Sequence, residues 1–166
     1  VQAGANVSQH EVLEALKKRA RWIYQQLRYF RSLNEHVLAP RYVSGESCYY
    51  LGKQYLLKVT ESATQKQQVK LLGGQLHVSV RQHAPELVCS LLHEWYKARA
   101  KEVFNRRLEA LLEQTLWVSE RPTIRILTMR TQWGSCSPNG RITLNPHLVK
   151  ASRECIDYVI LHELCH

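Results

Sequence analysis

No apolar run in the chain approaches the roughly 20 residues that a bilayer-spanning helix needs, and no charged stretch followed by an apolar one opens it as a signal peptide would. The sequence therefore predicts no membrane partner and a soluble, cytoplasmic protein. Cysteine is sparse and unpatterned. Cys48, Cys89, Cys136, Cys155 and Cys165 are odd in number and include no C-x-x-C pair, which argues against a disulfide framework or a zinc ribbon and for a reducing compartment. With 7 glycines and 5 prolines in 166 residues, collagen and low-complexity classes are excluded, and 45% hydrophobic residues exclude a disordered chain. Acidic residues are also few, 14 against 23 Lys and Arg, leaving a net charge of +9.

The excess positive charge has an ordinary explanation and a functional one. Lys17, Lys18, Arg19 and Arg21, Lys97, Arg99 and Lys101, and Arg106 and Arg107 all fall in helical segments, whose solvated faces commonly carry such residues. Lys and Arg that clustered in space would instead neutralise phosphates and release counterions, so a nucleotide or nucleic acid is an alternative partner.

Periodicity places the elements. Ser8 and Glu11 have the spacing of a capping box, and Val12, Leu13, Leu16, Ala20, Ile23, Leu27 and Phe30 recur at helical intervals, predicting a helix over about 9–32. From Arg41 to Val80 the texture is β-rich around glycines and predicts two hairpins, with strands at 48–51, 54–60, 69–72 and 75–80. Pro85 suits the first turn of a helix of about 30 residues, whose apolar face runs from Leu87 and Val88 through Trp95 and Phe104 to Leu112 and on towards Trp117. Alternation over Thr123–Met129, and Arg141–Leu144 after the turn at Ser137–Gly140, predict that these two segments pair as a third hairpin. Ser152 caps a last helix bearing Ile156, Val159, Ile160 and Leu164. The order is α+β, read as an N-terminal helix and β-hairpin region over 1–82 and a core over 83–166.

The chemistry is concentrated at the end of the chain. His162, Glu163 and His166 form an H-E-x-x-H pattern on a segment that independently reads as helix. Residues four apart lie about 40° apart around a helix, one turn along it, so both imidazoles can reach one metal ion. Zinc binds neutral imidazole and acidifies a bound water towards a pKa of about 7. Glu163 is the expected general base, taking a proton from that water and passing it to a leaving amine. A catalytic zinc normally has three protein ligands. His36, His77, His83, His93 and His147 sit in unrelated contexts and read as surface or core histidines, and Cys165 reads as a small buried thiol. The chain begins at Val1 and stops at His166, so it is expected to be a piece of a longer protein, truncated in the H-E-x-x-H helix, with the third ligand outside it.

A second stretch accompanies the first: Thr131, Trp133, Gly134, Ser135 and Cys136, then Gly140, Ile142, Leu144 and Asn145, then Asp157, Tyr158 and Val159 before the H-E-x-x-H. In this order the motifs resemble the YgjP-like metallopeptidase family, a zincin-like group of predicted metal-dependent hydrolases related to SprT-like proteins. Trp22 and Ile23, the Tyr50–Lys53 hairpin, and Trp95 and Tyr96 extend the resemblance back to about Ala20. It implies a zincin-like minimal metalloprotease core, with His162 and His166 as metal ligands, Glu163 as catalytic residue and zinc as cofactor. It also implies a further histidine shortly after the H-E-x-x-H helix as third ligand, and relatedness to proteins some of which work on DNA-bound proteins.

Read physically, Gly134 allows a bulge or close backbone approach, Trp133 is expected to plug the core beneath the metal helix, and Cys136 to anchor it. An edge strand beside the helix suits an extended peptide, with Trp133 and Ser135 as substrate-binding candidates. Ser135 is not expected to act as a nucleophile, since no base is placed for it. The expected function is thus a zinc-dependent metallopeptidase acting on a peptide or protein. The alternatives are a metal-dependent nucleotide phosphohydrolase or pyrophosphatase, which no glycine-rich phosphate loop supports, and a DNA-associated binding module.

Overall fold

The computed structural model describes residues 40–115, 118 and 120–165. The expected 9–32 helix, Trp117, His36 and His166 lie outside the described residues. The unit that follows is Arg41–His166.

The first two hairpins form as their glycines direct. Strands β1 (Ser47–Tyr50) and β2 (Lys53–Glu61) are joined by Leu51 and Gly52, both with positive φ, the conformation a two-residue hairpin turn requires. Strands β3 (Gln68–Leu72) and β4 (Gln75–Val80) are joined by Gly73 and Gly74 in the same way. The hairpins merge into one sheet of order β1-β2-β4-β3, with β2 and β4 parallel at its centre. Alternation turns Leu57, Leu76, Val78 and Val80 to one face. The N-terminal half of helix α1 (Pro85–Leu112) covers that face with Val88 and Leu92. Pro85 opens α1, where a missing N–H costs nothing.

The C-terminal half of α1 serves a second core. Ala100, Val103, Phe104, Leu108 and Leu111 pack with Ile142, Leu144, Leu148, Val149, Ile156 and Ile160. These come from a second sheet, from the 3-10 turn Pro146–Lys150 and from helix α2 (Arg153–Leu164). Trp95 touches both cores.

The second sheet corrects the expected third hairpin. Strand β5 (Thr123–Ile126) runs parallel, not antiparallel, to β7 (Arg141–Leu144), and the order is β5-β7-β6 with β6 spanning Gly134–Cys136. The turn at Ser137–Gly140 closes on itself, with Gly140 N–H donating to the Ser137 carbonyl at 2.9 Å, so it can pair β7 only with the segment immediately before it. That segment is Gly134–Cys136, too short and too glycine-rich to carry a strand signature. The chain from β5 must cross to the far side of β7 to reach it. Asn145 secures the crossing: its Nδ2 donates to the Met129 and Gln132 carbonyls at 2.8 and 3.2 Å, its backbone N–H donates to the Trp133 carbonyl, and its Oδ1 accepts from His147 N.

Candidate active site

Helix α2 is positioned from three directions. At its start, Ser152 Oγ accepts from Cys155 N at 3.4 Å, as the sequence predicts. The Ser152 hydrogen bond and then the nearby Arg153 and Arg107 charges hold the Glu154 carboxyl below its usual range, as suits the first turn of a helix. The β1–β2 turn abuts the same point. Leu51 N and Gly52 N donate to the Val149 and Lys150 carbonyls, and a Cβ on Gly52 would lie 3.0 Å from Ser152 Cα. Along its length, Asp157 accepts two hydrogen bonds from Arg107 of α1, at 2.7 and 2.6 Å, a forked geometry that fixes both side chains. Asp157 is the only aspartate in the chain. Ile156 and Ile160 are buried in the second core, on the face of the helix they share with Glu163.

This leaves the last turn facing the second sheet. Glu163 is only 7% exposed, and no described residue donates a hydrogen bond to its carboxylate. It lies against Gly134 of β6: a Cβ there would stand 2.7 Å from Glu163 Oε1 and 2.8 Å from its Cγ. The close backbone approach expected at Gly134 is therefore made by the carboxylate of the H-E-x-x-H itself. Glu163 and Leu164 line a cleft of about 510 Å³ with Arg121, Thr123, Cys136 and Gly140. His162 stacks on Tyr158 one turn earlier, ring centroids 6.1 Å apart and planes 16° from parallel, and Tyr158 is 69% exposed.

The other residues singled out in the sequence fall in different places. Trp133 is 56% exposed, correcting the expected core plug. It immediately precedes β6, where its carbonyl accepts from Asn145 N at 2.9 Å and so extends the pairing with β7, and alternation along the strand places it with Ser135 on the face opposite Gly134 and Cys136. Cys136 does pack against that core. Ser135 pairs with Thr143, on the opposite face of the sheet from Gly134 and Cys136, and so away from Glu163. Cys165 is exposed, not buried, because it caps α2 beyond its last apolar turn. His93 and His147 meet edge to face away from α2, and burial, then the Lys150 and His93 charges, push His147 below the ordinary histidine range. The Arg107–Asp157 pair and the stapling role of Asn145 were not read from the sequence. Asp157 carried a signal, as an acidic residue alone of its kind placed one turn and a half before the H-E-x-x-H.

The chemistry of this donor set suits a divalent metal. An imidazole on the last turn of a helix adjoins a buried carboxylate that lacks a hydrogen-bond donor among the described residues, and the position four residues beyond the first imidazole is again histidine. Among the described residues no group of three or more His, Cys, Asp or Glu is assembled around a common point, His166 being outside them. Comparison with curated proteins and with solved structures found no match. Comparison with protein families found one that spans residues 1–166, the YgjP-like family, described as a metallopeptidase domain. The motifs at the end of the chain and the match over its whole length agree, and the chain belongs to the YgjP-like metallopeptidase domain family.

Proposed function

We propose that the chain is a zincin-like, zinc-dependent peptidase in which His162 and His166 hold the metal and Glu163 is the catalytic base. A third ligand comes from outside the described residues. The observation that carries this reading is the burial of Glu163 against Gly134, on the edge strand of the second sheet. Bound there, zinc would supply a Lewis acid that polarises a scissile carbonyl and lowers the pKa of water. Glu163 takes a proton at a carboxylate oxygen and delivers it to the departing amine. Burial keeps bulk water from competing for that proton, and Gly134 lets the carboxylate lie flush with the strand.

The same strand suits the substrate. In the order β5-β7-β6, one edge of β6 pairs with β7 and the other is unpaired among the described residues, so an extended peptide can add to it by backbone hydrogen bonds. Exposed Trp133 offers an apolar contact beside it, and Tyr158 offers a second surface next to His162. Unpaired cysteines throughout fit a reducing compartment such as the cytoplasm.

The test is Glu163→Gln in a metal-loaded protein presented with a mixed peptide library. Loss of cleavage with zinc retained supports the assignment, and full cleavage by the variant refutes it.

A second reading, nucleic-acid docking as an accessory role, is favoured by the outer face of the first sheet. Lys58, His77 and Lys70 stand in register across β2, β4 and β3, beside exposed Tyr49, and the outward positions of these strands include no carboxylate. Binding of single-stranded DNA that weakens steeply with salt, and is reduced in Lys58→Glu, would bear this out. Binding indifferent to salt would not.

A further inference from the structure

A second cleft, of about 350 Å³, lies away from Glu163, between α1 and the 3-10 turn Pro146–Lys150, with Ile126, Leu127 and Thr128 as its third wall. The peptidase reading makes no use of it. His93 and Lys97 line it from α1 and His147 from the turn. Side chains three apart in a 3-10 turn eclipse, so Lys150 projects on the same side as His147. Its Nζ stands 4.7 Å from the centroid of the Tyr96 ring, which also lines the cleft. Neither imidazole, nor the half-buried Lys150 ammonium, has a hydrogen bond or ion pair to a described residue.

We propose that this cleft binds a small organic phosphate, its oxygens held by His93, Lys97, His147 and Lys150 and its organic part lying against Ile126 and Leu127. Charge is the first support. A cation drawn partly out of water without a counter-charge is unfavourable. Burial accordingly pushes the Lys150 ammonium below its ordinary range, opposed by the Cys48 and Cys89 thiols, and no carboxylate answers it. A bound anion supplies what is missing. Geometry is the second support. The two rings lie 5.6 Å apart with planes at 75°, so their N–H groups point in different directions. That arrangement does not suit a single ion, but it suits a ligand with several acceptor oxygens around one centre. A phosphate monoester offers three such oxygens and a charge of about −1.5 to −2, more of both than a carboxylate.

Size and lining agree with such a ligand. The cleft falls at the lower end of the roughly 300–1,000 Å³ typical of small-molecule sites, which suits a phosphate carrying a ring or a short chain. Thr128 adds a hydroxyl to the lining. Glu94 is the one carboxylate among the lining residues. Its side chain is 72% exposed and 3.8 Å from Lys97, a solvent-side pair that exchanges easily and frees the lysine for a stronger anion. The titratable groups around His147 are thus His93, Glu94 and Lys97 of α1 and Lys150 of its own turn, and the third wall brings none. A dianion among them favours the charged imidazole, so filling the cleft moves the titration of His147 upward.

The experiment is calorimetric titration of the full chain with phenyl phosphate and, as a carboxylate of similar size, benzoate. Wild type is compared with His162→Ala, Lys150→Met, Lys97→Gln and Glu94→Gln, and the His147 imidazole is followed by proton NMR. Phenyl phosphate is expected to bind saturably, and equally well in His162→Ala, which separates this cleft from the α2 histidines. Lys150→Met and the exposed Lys97→Gln should each weaken it by about tenfold, as loss of one charge-assisted contact implies. Glu94→Gln, which removes a repelling charge, should tighten it, and the ligand should raise the pH at which His147 titrates. Absence of saturable binding would overturn the proposal, as would binding that neither lysine variant changes. Benzoate binding as tightly as phenyl phosphate would refute the phosphate assignment, and loss of binding in His162→Ala would move the ligand to α2. Weaker binding in Glu94→Gln, or an unmoved His147 titration, would equally count against an anion held here.

Discussion

Gly134 and Glu163 occupy each other's space: the α-carbon of one has no side chain because the carboxylate of the other fills the place where it would be. The carboxylate proposed as general base is thereby set by a strand residue far from it in the sequence.

Gly134→Ala is expected to displace Glu163 rather than unfold the protein, since the clash is with a side chain and not with backbone. A misplacement of about 1 Å at a reacting group can cost on the order of 10²-fold in rate. Peptide hydrolysis should fall by about that factor while zinc content and unfolding temperature stay close to wild type, which steady-state kinetics beside elemental analysis will check.

Asp157→Ala removes a forked, charge-assisted pair whose side chains are 28% and 22% exposed. Hydrogen bonds to charged groups contribute about 1.5–3 kcal/mol, so denaturant unfolding should lose about 2 kcal/mol. In a double-mutant cycle with Arg107→Ala most of that loss should appear as coupling; additive effects would show that the pair does not anchor α2.

Asn145 is buried, and its side chain serves two carbonyls and one N–H. Asn145→Asp keeps the acceptor for His147 N but offers nothing to the Met129 and Gln132 carbonyls, and it buries a charge. Each buried group left unpaired costs about 1–3 kcal/mol, so Asn145→Asp should be less stable than Asn145→Ala by thermal unfolding. The reverse order would mean that the crossing does not depend on those donations.

Gly52 and Gly73 separate conformational strain from contact. Both have positive φ, but a Cβ on Gly73 meets nothing within 4 Å, whereas one on Gly52 meets Ser152 at 3.0 Å. Gly73→Ala should cost about 1–2 kcal/mol from backbone strain alone. Gly52→Ala should cost more, and should loosen hydrogen-exchange protection at the start of α2, which Gly73→Ala leaves unchanged.

His147 makes stability depend on pH. Burial, together with Lys150 and His93, depresses its folded-state pKa below the unfolded value of about 6.5, so below that pH the unfolded chain binds the proton first. The contribution is fully present above about 6.5 and is lost as pH falls towards the folded value. In the presence of chelator, His147→Gln should flatten the loss of stability between about pH 7 and pH 5; an unchanged slope would assign the acid sensitivity elsewhere.

Local pattern determined much of this molecule. The two glycine hairpins, Pro85 at the start of α1, the Ser152 cap and the helix that carries His162 and Glu163 all follow from neighbours within a few residues, where backbone sterics, capping and helical period act. The family, too, is legible in motifs that lie along the chain. What only the tertiary structure decided concerns partners far apart in sequence. Alternation at Thr123–Ile126 calls for a strand, but it does not say that β5 runs parallel to β7, because direction depends on where the chain crosses and on Asn145 holding that crossing. Trp133 is as apolar in a sequence as a core residue, yet it lies outside a core that other side chains already fill. Arg107 becomes an anchor only because α1 and α2 pack with Asp157 opposite it. Gly134 becomes indispensable to Glu163 only because β6 passes beneath the last turn of α2, a contact whose energy depends on distance in space and not on separation along the chain.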